Sequence, residues 1–321
     1  MTGIPTISVV VCAYTDRRWG DLMEAVASVR AQTMPALEII VSVDHNLALR
    51  ERVTRQLPDV VVVDNQQRQG LSGARNAGVA VARGDVVAFL DDDATAAADW
   101  LERLAAGYAA PDVMGVGGAI EPAWSTNRPR YFPEEFDWVV GCTYRGMPVM
   151  QAAVRNLIGA NMSFRRSVLN SVGGFRCDIG RIGTRPLGCE ETELCIRSRR
   201  RWPNGRFLYD PSARVRHRVP ANRAGWRYFH ARCYAEGLSK ALVARASDAR
   251  SGLASERAYA MRVLPRGMAR GVVDAVAHGD PAGLGRSVMI ATGLAVTTAG
   301  YLVGTASRYN EESNDHPQDR S

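Results

Sequence analysis

Lysine is nearly missing from this sequence. Lys240 is the only one, so the net charge of +7 is carried almost wholly by arginine. A skew toward one basic residue follows genome composition as readily as partner choice, so basicity here is no argument for nucleic acid, and no nucleic-acid partner is expected. Arginine still suits phosphate, on a nucleotide or on an anionic lipid head. Paired cysteines are missing too. Cys12, Cys142, Cys177, Cys189, Cys195 and Cys233 form no CxxC pair and no disulfide-framework spacing. That excludes a stapled secreted scaffold and points to a reducing cytoplasm. Met1 to Thr6 has neither the basic start nor the apolar run of a signal peptide. Glycine is missing where two enzyme classes need it. The loop after the first apolar run, Tyr14 to Arg18, has none before Gly20. A nucleotidyltransferase would show a Gly- and Lys-rich phosphate loop there, and a nucleotide-binding oxidoreductase a GxGxxG.

What is present is an alternation of apolar runs and helical patterns. Ile7 to Ala13, Glu38 to Asp44, Val60 to Asp64 and Val86 to Leu90 read as strands, the last buried on both faces. Between them, Leu22, Ala25, Val26 and Val29 recur at helical spacing, and a further helix is expected from Ser72 to Ala82. Strand and helix at these intervals predict an α/β fold with a doubly wound, mostly parallel, Rossmann-like sheet. A last strand is expected from Phe207 to His217. With 321 residues the chain is long enough for one large domain or a domain with an appendage.

Acids gather at the strand ends, where open α/β sheets bind their ligands. Asp44 and Asp64 each close a strand, and Asp91, Asp92 and Asp93 close another with no base beside them. Three adjacent carboxylates repel, and a hard divalent cation such as Mg²⁺ or Mn²⁺ relieves that repulsion. Side chains alternate along a strand, so Asp91 and Asp93 point one way and Asp92 the other. A solvated acidic loop or helix-capping cluster accounts for the triplet equally well on its own. Gly70 to Gly78 opens the helix before this strand, with Arg75 inside it. It reads either as a close approach to phosphate or as a turn bearing a surface arginine.

The order of these segments resembles the nucleotide-binding half of the family-2 glycosyltransferases, which have the GT-A fold. The resemblance rests on Ala13-Tyr14, Val43-Asp44, Gly70 to Gly78, Gly84 to Asp93 and Trp100-Leu101. It continues through Gly159 to Arg166, Gly173 to Phe175, and Glu190-Glu191-Thr192-Glu193-Leu194, and covers about residues 7 to 217. It implies an inverting glycosyltransferase that uses a nucleotide-diphospho-sugar and Mg²⁺ or Mn²⁺. By that likeness the Ala13-Tyr14 backbone and Asp44 contact the base, and Arg75 lies near base and phosphate. Asp91, Asp92 and Asp93 share ribose and metal, Asp91 and Asp93 being metal ligands, and His217 completes the metal shell or touches the diphosphate. Glu191 stands at the family's catalytic base, where Asp is commoner, with Glu190 the other candidate. The chemistry asks for the same parts: a carboxylate to take the acceptor proton and a cation for the departing diphosphate. Glu190 and Glu191 also suit a helix N-terminus as plain dipole-compensating acids. The alternative is a nucleotidyltransferase or a non-catalytic nucleotide-sugar-binding protein on the same sheet.

The organisation expected is a glycosyltransferase domain over residues 1–220, its donor half near 1–120 and its acceptor half near 121–220. A helical region follows over 221–309, then a disordered tail over 310–321. Residues 124–150, rich in proline and aromatics, are expected to line the acceptor side. Arg176, Arg181 and Arg185 precede the acceptor acids and suit a phosphate-bearing acceptor. Residues 287–304 hold no charge and reach the lower limit of a membrane span, though they suit a helix lying on the membrane or packed in a core as well. The expected partners are the donor, a glycan or lipid-linked acceptor, and an anionic membrane at its cytoplasmic face, with a homodimer left open. The setting expected is cell-envelope glycan, glycolipid or polysaccharide synthesis.

Overall fold

A computed structural model describes residues 3–178, 188–246 and 254–314. The first four strands lie where the apolar runs put them: β1 Ile7–Ala13, β2 Glu38–Val43, β3 Val61–Asp64 and β4 Val86–Asp91. They pair in parallel in the order β3-β2-β1-β4, with Val9 beside Ile39 on one side and Ala88 on the other. Helices α1 (Trp19–Arg30), α2 (Leu47–Gln56) and α3 (Leu71–Val81) make the crossovers. Alternation in β1 sorts its side chains between two cores. Ile7, Val9 and Val11 join one, and Val10 joins the other across the sheet. Both faces are therefore covered, as a parallel sheet requires.

Beyond β4 the sheet becomes mixed. β5 Ala94–Ala96, α4 Trp100–Ala106, β6 Val113–Trp124, β7 Ala152–Val154, β8 Asn161–Arg165, α5 Arg166–Val172, α6 Glu190–Arg201 and β9 Arg206–Val219 follow. β8 runs antiparallel between β4 and β6, while β9 lies parallel to β6 and carries β5 and β7 on its other edge. This half of the sheet was not legible strand by strand, because β5 and β7 are three residues each and owe their place to β9. Asn161 locks it: its amide donates to the carbonyls of Ala119 and Ala213, and its oxygen accepts from the Trp100 indole at 2.8 Å.

The expected boundary near residue 220 coincides with the end of β9, yet the core continues past it. Helix α7 (Trp226–Ala246) places Phe229 against Phe132 and Phe136. Helix α8 (Ala254–Ala258) runs through a π-helical turn, Tyr259–Val263, into α9 (Leu264–Ala277), and α10 (Ala282–Asn314) packs against α7 and α9. Gly237 and Gly300 allow the α7–α10 contact: a Cβ on Gly237 would stand 2.1 Å from the Thr297 carbonyl, and one on Gly300 2.2 Å from that of Tyr234. Met289 and Ile290 of α10 belong to the same core as β1. Residues 310–314, expected in the tail, are the last of α10, and 315–321 lie outside the described residues.

Candidate active site

β4 delivers the acidic triplet to the carboxyl edge of the sheet and the chain turns at once into β5, so the three side chains part company. Asp91, Asp93 and His217 come together with one ligand atom from each within 4.8 Å of the others. His217 reaches this point because β9 pairs with β5, setting His217 beside Ala94. Its Nε2 lies 3.1 Å from Asp93 Oδ1, and its Nδ1 faces the Cys142 thiol at 3.8 Å. Asp92 is not part of that group: β4 ends at Asp91, so Asp92 and Asp93 lie in the turn that follows, where strand alternation no longer sorts them. Asp92 Oδ1 accepts from Arg18 at 2.8 Å, and Asp92 Oδ2 is buried without a partner among the described residues.

Arg18 also lies 3.0 Å from Asp93 Oδ2, and Arg223 approaches the same oxygen at 3.8 Å. Burial works against ionisation of Asp93, but the His217 hydrogen bond and the two guanidiniums outweigh it and hold this carboxyl well below the usual range. Burial and the charge of Asp93 push Asp92 up to about 7. Asp93 is thus held ionised toward His217, while its neighbour Asp92 gives up its proton less readily. Sequence reasoning missed Arg18 and Arg223. Arg18 sits in a polar loop with nothing in its local pattern to aim it, and Arg223 follows the sheet altogether.

Arg75 is the centre of the second cluster. It is 2 % exposed and 100 residues or more from its main partner in sequence: Nη1 donates to Glu190 Oε1 at 2.7 Å, across a separation of 115. Its Nη2 donates to the Gly159 carbonyl at 3.3 Å and lies 3.8 Å from Asp91 Oδ1. One guanidinium therefore ties the strand-end acid of β4 to the first turn of α6. That leaves the two glutamates unequal. Glu190 is buried and bound to Arg75, whereas Glu191 faces the cavity, where burial and the charge of Glu190 push it up to about 8. Cys189, just ahead of them, takes a left-handed φ of 73° that a side chain rarely adopts, held by the turn into α6.

The remaining expected residues divide. Ala13 and Tyr14 end β1 beside Asp44: the Ala13 carbonyl accepts from the Asp44 N–H at 2.8 Å, and the half-exposed Tyr14 ring lies under Arg18 at 5.4 Å. Asp44 accepts from the Asn65 amide at 2.7 Å and the Gly70 N–H at 3.0 Å, so it fixes the loop into α3. Gly73 is required by that loop, since a Cβ there would stand 2.6 Å from Arg68 and Asn65 atoms. Asp64 is not brought to the site. β3 is the edge strand, and Asp64 pairs outward with Arg50 at 3.0 Å. Arg176 pairs with Asp178 at 2.5 Å, while Arg181 and Arg185 lie outside the described residues.

Asp91, Arg75, Glu190 and Glu191 open into a cavity of about 920 Å³. Phe136, Trp138 and Tyr144 line one wall, from the stretch expected on the acceptor side. The C-terminal helices line it as well, with Lys240, Tyr259, Arg262 and Leu294 among the residues, Tyr259 packing against Tyr144. β4 and α6 thus supply the acids, and the helices past residue 220 supply much of the remaining lining.

The sequence profile described as "Glycosyl transferase family 2" matches residues 8–173. A glucosyl-dolichyl phosphate glucuronosyltransferase of Haloferax volcanii is 40% identical over 238 residues, which are 73% of this chain and 76% of that protein. Among solved structures, a mannosyltransferase from Pyrobaculum calidifontis in complex with GDP-Man and Mn²⁺ superposes with a TM-score of 0.59 at 20% identity, covering 97% of this chain and 88% of that one. GalNAc-T7 with UDP, GalNAc and Mn²⁺ superposes with a TM-score of 0.56 at 17% identity, covering 98% of this chain and 58% of that one. These structural likenesses establish the fold, which is the GT-A fold.

Proposed function

The chain belongs to glycosyl transferase family 2, and from that premise we propose that it moves a sugar from a nucleoside-diphospho-sugar to a hydroxyl of a lipid-phosphate-linked acceptor, with inversion at the anomeric carbon. The observation that carries this reading is Arg75, which lies against Asp91 of the acid cluster and binds Glu190, the neighbour of the cavity-facing Glu191. An acid cluster for the donor and a base for the acceptor, held near one another by one buried cation, are what a single displacement needs.

Two carboxylates and an imidazole within 4.8 Å of one another form a donor set suited to a divalent cation, Mn²⁺ or Mg²⁺. Asp91, Asp93 and His217 would hold it, and Arg18 and Arg223 would keep Asp93 ionised and oriented. A cation bound there supplies positive charge against the leaving diphosphate. Asp44, Ala13 and Tyr14 border the end of the sheet where the nucleotide base would rest. Glu191 accepts the proton of the acceptor hydroxyl as its oxygen bonds to the anomeric carbon. The bond from that carbon to the diphosphate breaks, and the diphosphate leaves with the electron pair. Glu190 stays on Arg75 and takes no proton.

The lipid-linked acceptor and a membrane setting are supported by α10. Among the described residues it holds the one stretch, Ala282–Ala306, long and apolar enough to cross a membrane. It does not stand alone, because Met289, Ile290 and Gly293 face the core. Leu284, Val288, Ala291, Ala295 and Leu302 recur at helical spacing on the other side and are exposed, and Val272 and Val276 of the neighbouring α9 are exposed too. An apolar face backed by packed helices suits a bilayer surface better than a span. Removing α10 would strip the core, so its exposed face is the part to change. We expect one donor from a panel of nucleoside-diphospho-sugars to release nucleoside diphosphate only when an acceptor sugar is supplied, a prenyl-phosphate-linked sugar being preferred to an uncharged glycoside. With the double variant Val288→Glu/Leu302→Glu, release should fail when the prenyl-phosphate-linked acceptor is embedded in anionic vesicles and persist when it is short-chained and in solution. Release from no donor would contradict the reaction. Equal behaviour of the variant with both acceptors would remove the membrane, and a dimer split by the same substitutions would assign the face to a second copy of the chain.

A further inference from the structure

The cations around the cavity are of two kinds. Arg75 is paired with Glu190, Arg155 makes two 2.6 Å bonds to Glu256, and Lys240 lies 3.1 Å from Glu256 and 3.4 Å from Glu236. Arg257, Arg262 and Arg266 line the same cavity and are exposed, and among the described residues no carboxylate lies within ion-pair distance of any of them. Their grouping has a backbone cause. In an α-helix, residues five apart point about 140° away from each other. The π-helical turn Tyr259–Val263 takes in one extra residue, with the Leu264 N–H bonded to the Tyr259 carbonyl five positions back. Residues five apart then fall on one side, which brings Arg257 and Arg262 together, and Arg266 follows one ordinary turn later. Such single π turns are frequent at functional sites. Next to them the lining turns apolar, through Val243, Val263 and Leu294.

We propose that Arg257, Arg262 and Arg266 form the phosphate subsite of the acceptor, with the acceptor sugar toward Glu191 and its lipid chain over the apolar lining beyond. Three guanidiniums with no ion-pair partner among the described residues match the several oxygens of a phosphodiester or diphosphate. The subsite rests on the reading that the acceptor carries a lipid phosphate. The same chemistry is offered by an anionic lipid headgroup, and the test separates the two.

Transfer would be measured in solution, without vesicles, to two acceptors: a short-chain prenyl-phosphate-linked sugar and the same sugar as an uncharged alkyl glycoside. In Arg257→Gln, Arg262→Gln and Arg266→Gln, KM for the phosphate acceptor should rise about tenfold each, with kcat and donor KM unchanged. KM for the alkyl glycoside should not move, and Arg262→Lys should recover part of the loss. An unchanged ratio of the two KM values in the triple Gln variant would overturn the subsite. Loss of binding to anionic vesicles with that ratio unchanged would overturn it too, and give the arginines to the bilayer. If the unaltered protein uses both acceptors equally, the lipid-phosphate reading itself fails and the subsite with it. If it prefers the phosphate and the variants keep that preference, only the subsite fails.

Discussion

Replacing Asp93 with asparagine is expected to lower kcat on the order of a thousandfold, about 4 kcal/mol of barrier, and to do so without unfolding the protein. Asp93 faces His217 with one oxygen and Arg18 with the other. An asparagine amide keeps a hydrogen-bond acceptor in that place but removes the charge that a cation needs. Arg18 retains Asp92, so the guanidinium is not stranded. The check that does not depend on turnover is thermal: Mn²⁺ should raise the melting temperature of the unaltered protein, since a ligand bound only by the folded state stabilises it, and should leave that of Asp93→Asn nearly where it was. Excess EDTA should abolish transfer. Full transfer in EDTA, or an Asp93→Asn protein that Mn²⁺ stabilises as well as the original, would contradict the metal assignment.

Glu191→Gln should cost kcat a similar amount, on the order of a thousandfold, with donor affinity unchanged, because a general base acts on the acceptor proton alone. The companion variant separates the two glutamates. Glu190→Gln takes the charged partner from buried Arg75, a loss of about 3–5 kcal/mol when one side of a buried pair is removed, so its main effect should be on stability and donor binding. The reverse pattern, with Glu190→Gln far worse in kcat and Glu191→Gln mild, would exchange their roles. The pH dependence has a sign that can be worked out. Glu191 is raised from 4.5 to about 8 by burial and by Glu190. A base must be ionised to act, so kcat/KM should climb with pH to a plateau above about 8, and this limb should vanish in Glu191→Gln. Stability runs the other way. Between 4.5 and about 8 the folded chain keeps a proton that the unfolded chain has lost, so stability falls as pH rises through that window. Glu191→Gln should therefore melt above the original protein at pH 8 and close to it at pH 4. A gap that shrinks with rising pH would contradict this.

What could be read from the sequence was whatever lay within one strand or one turn. The acids at the end of β4 were legible as a cluster, but the alternation expected to sort them does not apply, because β4 ends at Asp91 and the turn brings Asp92 and Asp93 to one arginine, Arg18. The glutamate pair at the head of α6 was legible as a motif. Which member is free was not, because that depends on Arg75, 115 residues away. Asp64 shows the same limit from the other side: it closes a strand as Asp44 does, but strand order puts β3 at the edge, and only the fold knows strand order. The short strands β5 and β7 carry too few residues for a period to be seen. The C-terminal part of the cavity lining was the least legible, since the grouping of Arg257 and Arg262 follows from one π turn and no pattern of side chains announces it.

Glu191 is proposed to act as a base on the acceptor and not as a nucleophile on the sugar. The configuration of the product's new glycosidic bond tests this most directly. With the active donor, Mn²⁺ and a short-chain prenyl-phosphate-linked sugar, the anomeric coupling in the product's proton NMR spectrum should report the configuration opposite to that of the donor. Retention of the donor's configuration would contradict a single displacement and with it the role given to Glu191.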